Sequence, residues 1–361
     1  MNLSEIIKCV NGICNIKDQK IKNIVTDTRK LKKGDLFIAL KGNNYDGNDY
    51  IEEAIKKGAI ACITVKNINS KCIIVKDTYK ALYDIGLYLR SKYNIPLIAI
   101  TGSNGKTTTK ELLYNVLSSK YNVLKNESSK NNIIGVSDTL FKLNNKYDLI
   151  IMELGTNQMG EINTLSNMCK PTLSIITNIG SSHLEYFKTR KNIFKEKYSI
   201  VNGMNNINLI VNGDSKYLKR LDCFKCGINS NNDLIAYNIK EDLDNVSFDI
   251  KLDKEYNIKF NNPGRHFIND ILLVIKVSLI YGIDIQTIIN KINSFKLIEK
   301  RMNIIPKDSN VIINDCYNAS YESVCAGLSY LFNIKSKKVL ILADILELGK
   351  HSKKIHIKII I

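Results

Sequence analysis

Residues 96–110 constrain this chain more than any other stretch, because they join an apolar run to a glycine-containing turn and then to a helix. The run at 97–100 is typical of a buried parallel strand, and residues 106–117 are predicted to be helical. Backbone N–H groups of the turn and the dipole of the helix would together face an anion. The sequence Thr-Gly-Ser-Asn-Gly-Lys-Thr-Thr at 101–108 therefore predicts a phosphate-binding loop, with Lys106 on the phosphates and Thr107 on Mg²⁺.

This turn departs in one respect from the commonest phosphate-loop pattern, since Ile100 stands where a glycine usually does. The alternative interpretation is an ordinary turn followed by a surface lysine. The strand before the turn and the helix after it favour nucleotide binding over that alternative. We expect the nucleotide to be bound by Gly102, Ser103, Asn104, Gly105, Lys106, Thr107 and Thr108.

Length and composition indicate a globular protein of two or three domains, which we expect at residues 1–90, 91–298 and 299–361. The net charge of +17 comes from lysines that are spread evenly along the chain. It therefore does not predict nucleic-acid binding, although it would attract an anionic substrate. The nine cysteines show no disulfide or zinc pattern, and neither a leader-like N-terminus nor a membrane-spanning run is evident. These features predict a cytoplasmic protein without membrane insertion.

Two further apolar runs end in residues whose side chains can bind metals. Glu153 lies near the end of the run at 147–155, and His183 follows the run at 173–178. Open α/β sheets bind ligands at the carboxyl ends of their strands, so both residues are candidate metal ligands. The alternatives are a carboxylate that caps a helix and a histidine with a structural role.

The other predicted elements are coarser. Strands are expected at 33–40, 58–65, 207–211, 311–314 and 338–344, antiparallel strands within 222–260, and helices at 51–57, 188–200, 262–281 and after Ser352. Composition alone favours a solvated face for Lys191, Lys195 and Lys197 in the helix at 188–200. His266 is interpreted either as a capping or packing residue or as a neighbour of the nucleotide. One or two βα units cannot close a doubly wound sheet, so the third unit is expected to be incomplete.

The first unit contains a group of polar residues beside short predicted strands. They are Asp27, Thr28, Arg29, Asp46 and Asn48. Their spacing favours ordinary turn and cap positions. A small-molecule site is the alternative, and the sequence pattern does not decide between the two.

Several short motifs, in this order along the chain, resemble those of the Mur ligases. They are Thr101 to Thr108, Asn131-Asn132, Glu153-Leu-Gly155, Asn178 to His183, Gly264-Arg-His266, Arg301-Met302 and Asp315-Cys-Tyr-Asn318. The motifs at 27–29, 34–40, 46–47 and 344–349 are most similar to those of the member that adds D-alanyl-D-alanine to UDP-N-acetylmuramoyl-tripeptide. The resemblance covers nearly the whole chain.

The resemblance implies an α/β protein of three domains: a small N-terminal UDP-sugar domain, a central P-loop ATPase domain with a parallel sheet, and an incomplete Rossmann-like C-terminal domain. It implies an ATP-dependent, ADP-forming ligase of peptidoglycan synthesis that works through an acyl phosphate. The partners would be UDP-N-acetylmuramoyl-tripeptide, D-alanyl-D-alanine and ATP, with two Mg²⁺ ions, and the chain would act as a monomer.

The resemblance also implies roles for single residues. Lys106, His183 and Lys197 would be catalytic, and Lys197 would be carbamylated. Thr107 and Glu153 would bind one Mg²⁺, and His183 with the modified Lys197 would bind a second. The nucleotide would also contact His266, Asp270, Arg301 and Asp315, while the substrate would be bound by Thr28, Arg29, Asp46, Asn131 and Asn132. Among the positions that depart from the family pattern, Asp270 replaces an asparagine near the adenine and Asn48 replaces a histidine.

Two other functions stay open at this point. One is another carboxylate–amine ligase of the Mur type, such as the preceding tripeptide-forming enzyme, or a folylpolyglutamate synthase. The other is a non-catalytic nucleotide-binding module, which the short C-terminal unit favours. Catalysis is favoured over the second alternative by the presence of the residues expected to be catalytic or to bind metal: Lys106, Thr107, Glu153, His183 and Lys197.

Overall fold

The N-terminal part of the chain forms a small parallel sheet covered by helices on both faces. The computed structural model describes residues 1–127, 130–297, 300–308 and 310–360. The elements of this part are α1 (Leu3–Cys9), β1 (Ile24–Val25), β2 (Leu36–Ile38), α2 (Ile51–Lys56), β3 (Ala61–Thr64), β4 (Cys72–Ile74) and α3 (Thr78–Lys92). The strands are parallel, in the order β1-β2-β3-β4. Helices α1 and α3 pack with Ile38 and Ile63 on one face, and α2 packs with Phe37 and Cys62 on the other.

The central part is built around a larger parallel sheet with the predicted phosphate-loop strand near its middle. Its elements are β5 (Leu97–Thr101), α4 (Lys106–Leu117), β6 (Val123–Lys125), α5 (Ile133–Leu140), β7 (Leu149–Glu153), α6 (Glu161–Cys169), β8 (Leu173–Ile176), α7 (Leu184–Phe187), α8 (Arg190–Tyr198), β9 (Leu209–Asn212), β10 (Phe224–Gly227), β11 (Leu234–Ile235), β12 (Tyr237–Glu241), β13 (Val246–Lys251), β14 (Glu255–Phe260), α9 (Phe267–Ile280) and α10 (Ile285–Asn293). The strand order is β11-β10-β9-β8-β5-β7-β6.

Burial on both faces explains why these strands read as continuous apolar runs. Every residue of β5, β7 and β8 is buried. Helices α4, α9 and α10 cover one face of the sheet, and α5, α6 and α8 cover the other. A parallel sheet requires such cover on both sides. The carboxyl ends of β5, β7 and β8 consequently lie side by side at one edge.

The prediction of antiparallel strands within 222–260 is wrong for the first part of that stretch. Strands β10 and β11 pair in parallel and extend the main sheet beyond β9. Cys226 of β10 and Leu234 of β11 are buried in the same core as α9. Strands β12, β13 and β14 are antiparallel, as predicted.

The C-terminal part holds a hairpin and two helices, named β15 (Asn303–Lys307), β16 (Asn310–Asn314), α11 (Tyr321–Asn333) and α12 (Ser352–Ile360). The predicted strand at 338–344 is wrong, since no described strand pairs with it and Ile341 is 93% exposed. A strand without a neighbour leaves its backbone N–H and C=O groups unpaired. The predicted boundary at 298 and 299 lies outside the described residues. Across the ranges described, no helix has the length and apolar character that crossing a bilayer requires.

Candidate active site

The candidate site lies at the carboxyl edge of the central sheet. There Ile100 of β5 pairs with Glu153 of β7, and Thr101 pairs with Ile176 of β8. The loops that follow these strands surround a cavity of about 450 Å³. Its lining includes most of the predicted site residues: Ser103, Asn104, Gly105, Lys106, Thr107, Thr108, Asn131, Glu153, His183, Lys197, His266, Asp270, Arg301 and Asp315.

The predicted phosphate loop is a tight turn at the start of α4. Gly105 has a φ of 80°, and a Cβ there would lie 2.4 Å from the Asp270 carboxylate. Gly102 has a φ of 153°, and a Cβ there would collide with the Thr177 hydroxyl. Both positions therefore require glycine. The side chain of Lys106 turns back over the loop and donates to the carbonyl of Gly102 at 2.9 Å.

Two residues outside the loop hold it in place. The Asn104 N–H donates to Oδ1 of Asn178 at 2.8 Å. The Ser103 hydroxyl accepts from the Gly180 N–H, also at 2.8 Å. Asn178 begins the motif at 178–183, but the sequence predicts no role for its side chain. Its position near the carboxyl end of an apolar strand, like that of Glu153, is the signal that could have identified it.

Glu153 is buried and presents one carboxylate oxygen without a hydrogen-bond donor. Its Oε1 accepts from Asn131 Nδ2 at 2.8 Å, and its Oε2 lies 3.6 Å from Lys110 Nζ. Within the described part of the chain no group donates a hydrogen bond to Oε2. The Thr107 hydroxyl lines the same cavity and accepts from Arg301 at 3.2 Å. A carboxylate and a hydroxyl oxygen are ligands that suit Mg²⁺.

Lys197 is buried at this site, and its neighbour Lys195 is exposed. The interpretation of a solvated lysine face is therefore wrong for Lys197. Burial, and then repulsion from Lys106, lower the pKa of the Lys197 amine well below its usual range. Both causes favour the uncharged form of the amine that lines the cavity.

His183 lies beside Lys197 and contacts the C-terminal part of the chain. Its Nδ1 is 2.5 Å from Oε2 of Glu347. Burial lowers the pKa of the imidazole, and the nearby Glu347 carboxylate acts in the opposite direction. In the described ranges, no three His, Cys, Asp or Glu side chains converge as a metal cage. A metal here would need ligands of other kinds, such as a modified lysine or substrate oxygens.

The C-terminal part also supplies residues that face the phosphate loop. The Arg301 guanidinium stacks 4.2 Å above the ring of Tyr317. Asp315 accepts from the Met302 N–H at 3.2 Å. The Ser320 hydroxyl donates to Asn104 Oδ1 at 3.0 Å. The cavity is thus closed by residues more than 190 positions away from the loop in sequence.

Helix α9 contributes Asp270 to the cavity, and His266 directly precedes this helix. The His266 ring is exposed to the cavity and packs against Phe267, with ring centroids 4.1 Å apart. Asp270 is buried, which raises the pKa of its carboxyl to about 7, although Arg301 acts against this. The Asp270 carboxyl is therefore partly protonated near neutral pH and can then donate a hydrogen bond, as an amide would.

Four predicted substrate residues are not among those lining the cavity. Asn132 caps α5 by accepting from the Gly135 N–H. Thr28, Arg29 and Asp46 lie in the N-terminal part. Arg29 pairs with Asp27, its side chain is 86% exposed, and Asp46 accepts from the Asn48 N–H at 2.9 Å. These contacts are those of turn and cap residues.

The sequence interpretation missed the role of two buried or bridging acids. Glu196 of α8 accepts from the N–H groups of Gly160 and Ile162, at 2.6 and 2.8 Å, at the start of α6. Glu322 of α11 accepts from both the N–H and the hydroxyl of Ser181, at 2.9 and 2.7 Å. No spacing in the sequence indicates these contacts, because the partners are 34 to 141 residues apart.

The fold and the cavity define an α/β nucleotide-binding protein in which a phosphate loop, a metal-type carboxylate and a buried lysine share one sheet edge. Two family models match the chain: the Mur ligase middle domain over residues 100–278, and the catalytic domain of the Mur ligase family over residues 20–85. With the relatives below, these matches show that the chain belongs to the Mur ligase family.

Known relatives agree over almost the whole chain. The UDP-N-acetylmuramoyl-tripeptide–D-alanyl-D-alanine ligase of Bacillus subtilis is 30% identical over 98% of this chain and 80% of its own length. The crystal structure of MurF from Acinetobacter baumannii superposes with a TM-score of 0.92 at 28% identity, over 99% of this chain and 82% of that one. MurF from Thermotoga maritima in complex with ADP superposes with a TM-score of 0.87 at 25% identity, over 93% and 81%.

Proposed function

We propose that this chain is an ATP-dependent, ADP-forming ligase that joins D-alanyl-D-alanine to UDP-N-acetylmuramoyl-tripeptide during peptidoglycan synthesis. One observation carries the proposal: Lys106, Glu153, His183 and Lys197 come from separate segments and line one cavity. The names of the Bacillus subtilis and Acinetobacter baumannii relatives support the choice of substrates. ATP and a UDP-linked precursor as substrates make the cytoplasm the expected compartment, and we expect the chain to act as a monomer.

The chemistry explains why a phosphate site is needed for peptide-bond formation. A carboxylate is a poor acceptor for an amine because oxide would have to leave. In the first step a carboxylate oxygen of the tripeptide attacks the γ-phosphorus and the bond to ADP breaks, which gives an acyl phosphate. The D-alanyl-D-alanine amine then attacks the acyl carbon, loses a proton, and the tetrahedral intermediate expels phosphate. Lys106 would offset the negative charge that builds up when the carboxylate approaches the γ-phosphate.

The residues at the sheet edge fit a magnesium ion. Mg²⁺ is usually held by one or two carboxylates together with phosphate oxygens. Thr107 and Glu153, whose Oε2 has no described donor, would hold it. When bound, the ion would neutralise charge on the β- and γ-phosphates. Asn131 fixes the Glu153 carboxylate through Oε1.

A second ion would be held by His183 and a carbamylated Lys197. In carbamylation the Nζ lone pair attacks the carbon of CO₂, and the nitrogen then loses a proton. Only an uncharged amine reacts, because the protonated form has no free lone pair. The depressed pKa of the buried Lys197 amine supports this reaction. The product is an anion, so the modification would turn the repulsion between Lys106 and Lys197 into attraction.

The remaining roles follow the division of the chain into units at 1–90, 91–298 and 299–361. Arg301 would contact the terminal phosphate and Asp315 the ribose, while His266 and Asp270 would lie near the rest of the nucleotide. The N-terminal unit would bind the UDP-sugar through Thr28, Arg29 and Asp46. For Asn132 the contacts support capping of α5 rather than substrate binding.

Phosphate release with ATP and Mg²⁺, omitting each organic substrate in turn, tests the proposed function. We expect release to require both UDP-N-acetylmuramoyl-tripeptide and D-alanyl-D-alanine, with the pentapeptide product identified by mass spectrometry. A product with another amine acceptor but not with D-alanyl-D-alanine would indicate another ligase of the family. Nucleotide binding without any product would indicate a non-catalytic module.

A further inference from the structure

A carboxylate from the C-terminal part of the chain contacts the ring of His183. Oε2 of Glu347 lies 2.5 Å from Nδ1, across a sequence separation of 164 residues. Nitrogen and oxygen atoms approach this closely only with a proton between them, because two lone pairs would repel. The close approach does not have the geometry of a regular hydrogen bond, since among the described residues Nδ1 has no hydrogen-bond partner. The imidazole and the carboxylate are therefore paired but not ideally aligned.

The segment around Glu347 is packed firmly against the central part. Ile345 and Leu348 are buried, whereas Leu346 between them is 77% exposed. The Glu347 carbonyl accepts from the Glu185 N–H at 2.8 Å. Glu347 has a φ of 59°, a conformation that is uncommon for a residue other than glycine and persists where the surroundings hold it. These contacts aim the carboxylate at His183.

The contact has a consequence for the other ring nitrogen of His183. A neutral imidazole carries one N–H, so donation from Nδ1 leaves Nε2 with a lone pair. Histidines that bind metals commonly donate their second nitrogen to a carboxylate in this way. We propose that Glu347 is a positioning residue that fixes the tautomer and orientation of His183 and leaves Nε2 as the metal-binding atom.

Metal binding by His183 rests on the proposed function, whereas the tautomer of His183 depends only on its contact with Glu347. Glu347 reaches His183 from the C-terminal part, whereas Lys197 and Glu153 belong to the central part. His183 is therefore prepared as a ligand only while the C-terminal part is packed on the central part. This links closure of the chain over the cavity to the state of one metal ligand.

The tautomer of His183 can be read directly by ¹H–¹⁵N correlation spectroscopy of the full chain at pH 8, without metal or nucleotide. The chain has four histidines, and the His183 signals are identified by their loss in His183→Gln. We expect the Nδ1–H form in the parent, a shift toward the Nε2–H form in Glu347→Ala, and retention of Nδ1–H in Glu347→Gln, whose amide oxygen still accepts. An unchanged tautomer in Glu347→Ala would overturn the proposal.

Asp344→Asn is the matched control, because Asp344 belongs to the same segment but lies 3.7 Å from His356. It should leave the His183 signals in place, and circular dichroism checks that each variant is folded.

In a second measurement, electron paramagnetic resonance follows Mn²⁺ binding in the presence of a non-hydrolysable ATP analogue. We expect Glu347→Ala to weaken Mn²⁺ binding about 10- to 100-fold. Equal or tighter binding would contradict the positioning role. If the tautomer shifts as expected in Glu347→Ala but the parent chain forms no ligase product, the proposed function is contradicted and the positioning role of Glu347 is not.

Discussion

At the scale of single residues, the two lysines Lys195 and Lys197 show how the same side chain acquires opposite roles on one helix. Lys195 is exposed, and Lys197 is 2% exposed at the cavity. Their position in the sequence alone does not distinguish them, because both belong to a basic helical segment. The distinction comes from the packing of α8 against the sheet edge.

Replacing Lys197 should therefore abolish activity, whereas replacing Lys195 should not. We expect Lys197→Ala to lower the rate of phosphate release about 100-fold or more, because the site loses a group next to the reacting phosphates. Lys195→Ala removes the same side chain from the exposed side of α8 and should retain nearly the parent rate. Equal losses in the two variants would contradict the proposed role of Lys197.

Asp270 should make the stability of the chain depend on pH. Its pKa is about 7 in the folded chain and 3.8 for the free side chain, so the unfolded state loses the proton first as pH rises. The free energy of unfolding should fall between pH 4 and pH 7, by about 4 kcal/mol in total. Asp270→Asn cannot ionise, so urea denaturation should show it to be more stable than the parent at pH 8 and nearly equal at pH 4. A stability difference that does not vary with pH would count against this pKa.

The residues that could be predicted from the sequence are those placed by their own strand. Lys106, Glu153 and His183 each lie at or beyond the carboxyl end of an apolar strand, and parallel strands bring these ends together. Glu196, Glu322 and Glu347 could not be predicted in this way. Their roles depend on partners in other elements, and no local pattern records which elements meet.

At the scale of elements, the start of α6 depends on a carboxylate that belongs to α8. Glu196 is buried and satisfies the N–H groups of Gly160 and Ile162, and it accepts from the Thr156 hydroxyl at 3.1 Å. Helix N-termini leave such N–H groups without internal partners. This contact joins the loop after β7 to the helix that carries Lys197.

Glu196→Ala should lower the free energy of unfolding by roughly 2 to 4 kcal/mol, because it leaves two N–H groups without an acceptor. Urea denaturation followed by circular dichroism measures the change. Glu185→Gln removes one negative charge from an exposed position on α7 and should stay within about 0.5 kcal/mol of the parent. A Glu196→Ala variant as stable as this control would show that the contact does not hold α6.

The contact between α11 and α8 should affect nucleotide binding rather than folding. Glu322 accepts from Arg190 at 2.6 Å as well as from Ser181, and so joins the C-terminal part to the rim of the cavity. We expect Glu322→Gln to raise the KM for ATP about three- to tenfold with a smaller change in kcat, since a charged hydrogen bond is lost. Arg190→Gln should act in the same direction but more weakly, because this ion pair is partly exposed.

A double-mutant cycle tests whether Glu322 and Arg190 affect the KM for ATP through their mutual contact or independently of each other. If Glu322 and Arg190 act together, the double variant should raise the KM for ATP less than the product of the two single changes. Strict multiplication of the single effects would show that the two side chains are not coupled.

The sequence predicts the strands correctly where both faces of the sheet are buried, and incorrectly at the margins of the sheets. Strand β5 and helix α4 have the bounds expected from their apolar runs within one residue. The prediction of antiparallel pairing is wrong for β10 and β11, because strands at or next to the edge of a sheet can alternate apolar and polar residues in either orientation. The run at 338–344 has strand composition, but composition does not supply a pairing partner.

At the scale of the whole molecule, the cavity is assembled from the central and C-terminal parts. Arg301 contacts Thr107, Glu322 contacts Ser181, and Glu347 contacts His183. This closure could be anticipated only from the resemblance to the Mur ligases, because the individual contacts join residues that are far apart in sequence. The proposed ligase reaction requires such closure, since water would otherwise compete with the amine for the acyl phosphate.

The most direct test of the ligase mechanism follows one oxygen atom. UDP-N-acetylmuramoyl-tripeptide labelled with ¹⁸O in the carboxylate that is joined is incubated with ATP, Mg²⁺ and D-alanyl-D-alanine, and the released phosphate is analysed by mass spectrometry. Attack of that carboxylate on the γ-phosphorus predicts one ¹⁸O atom in phosphate for every fully labelled carboxylate converted to a peptide bond. Phosphate that carries no ¹⁸O while the peptide product forms would contradict the acyl-phosphate route.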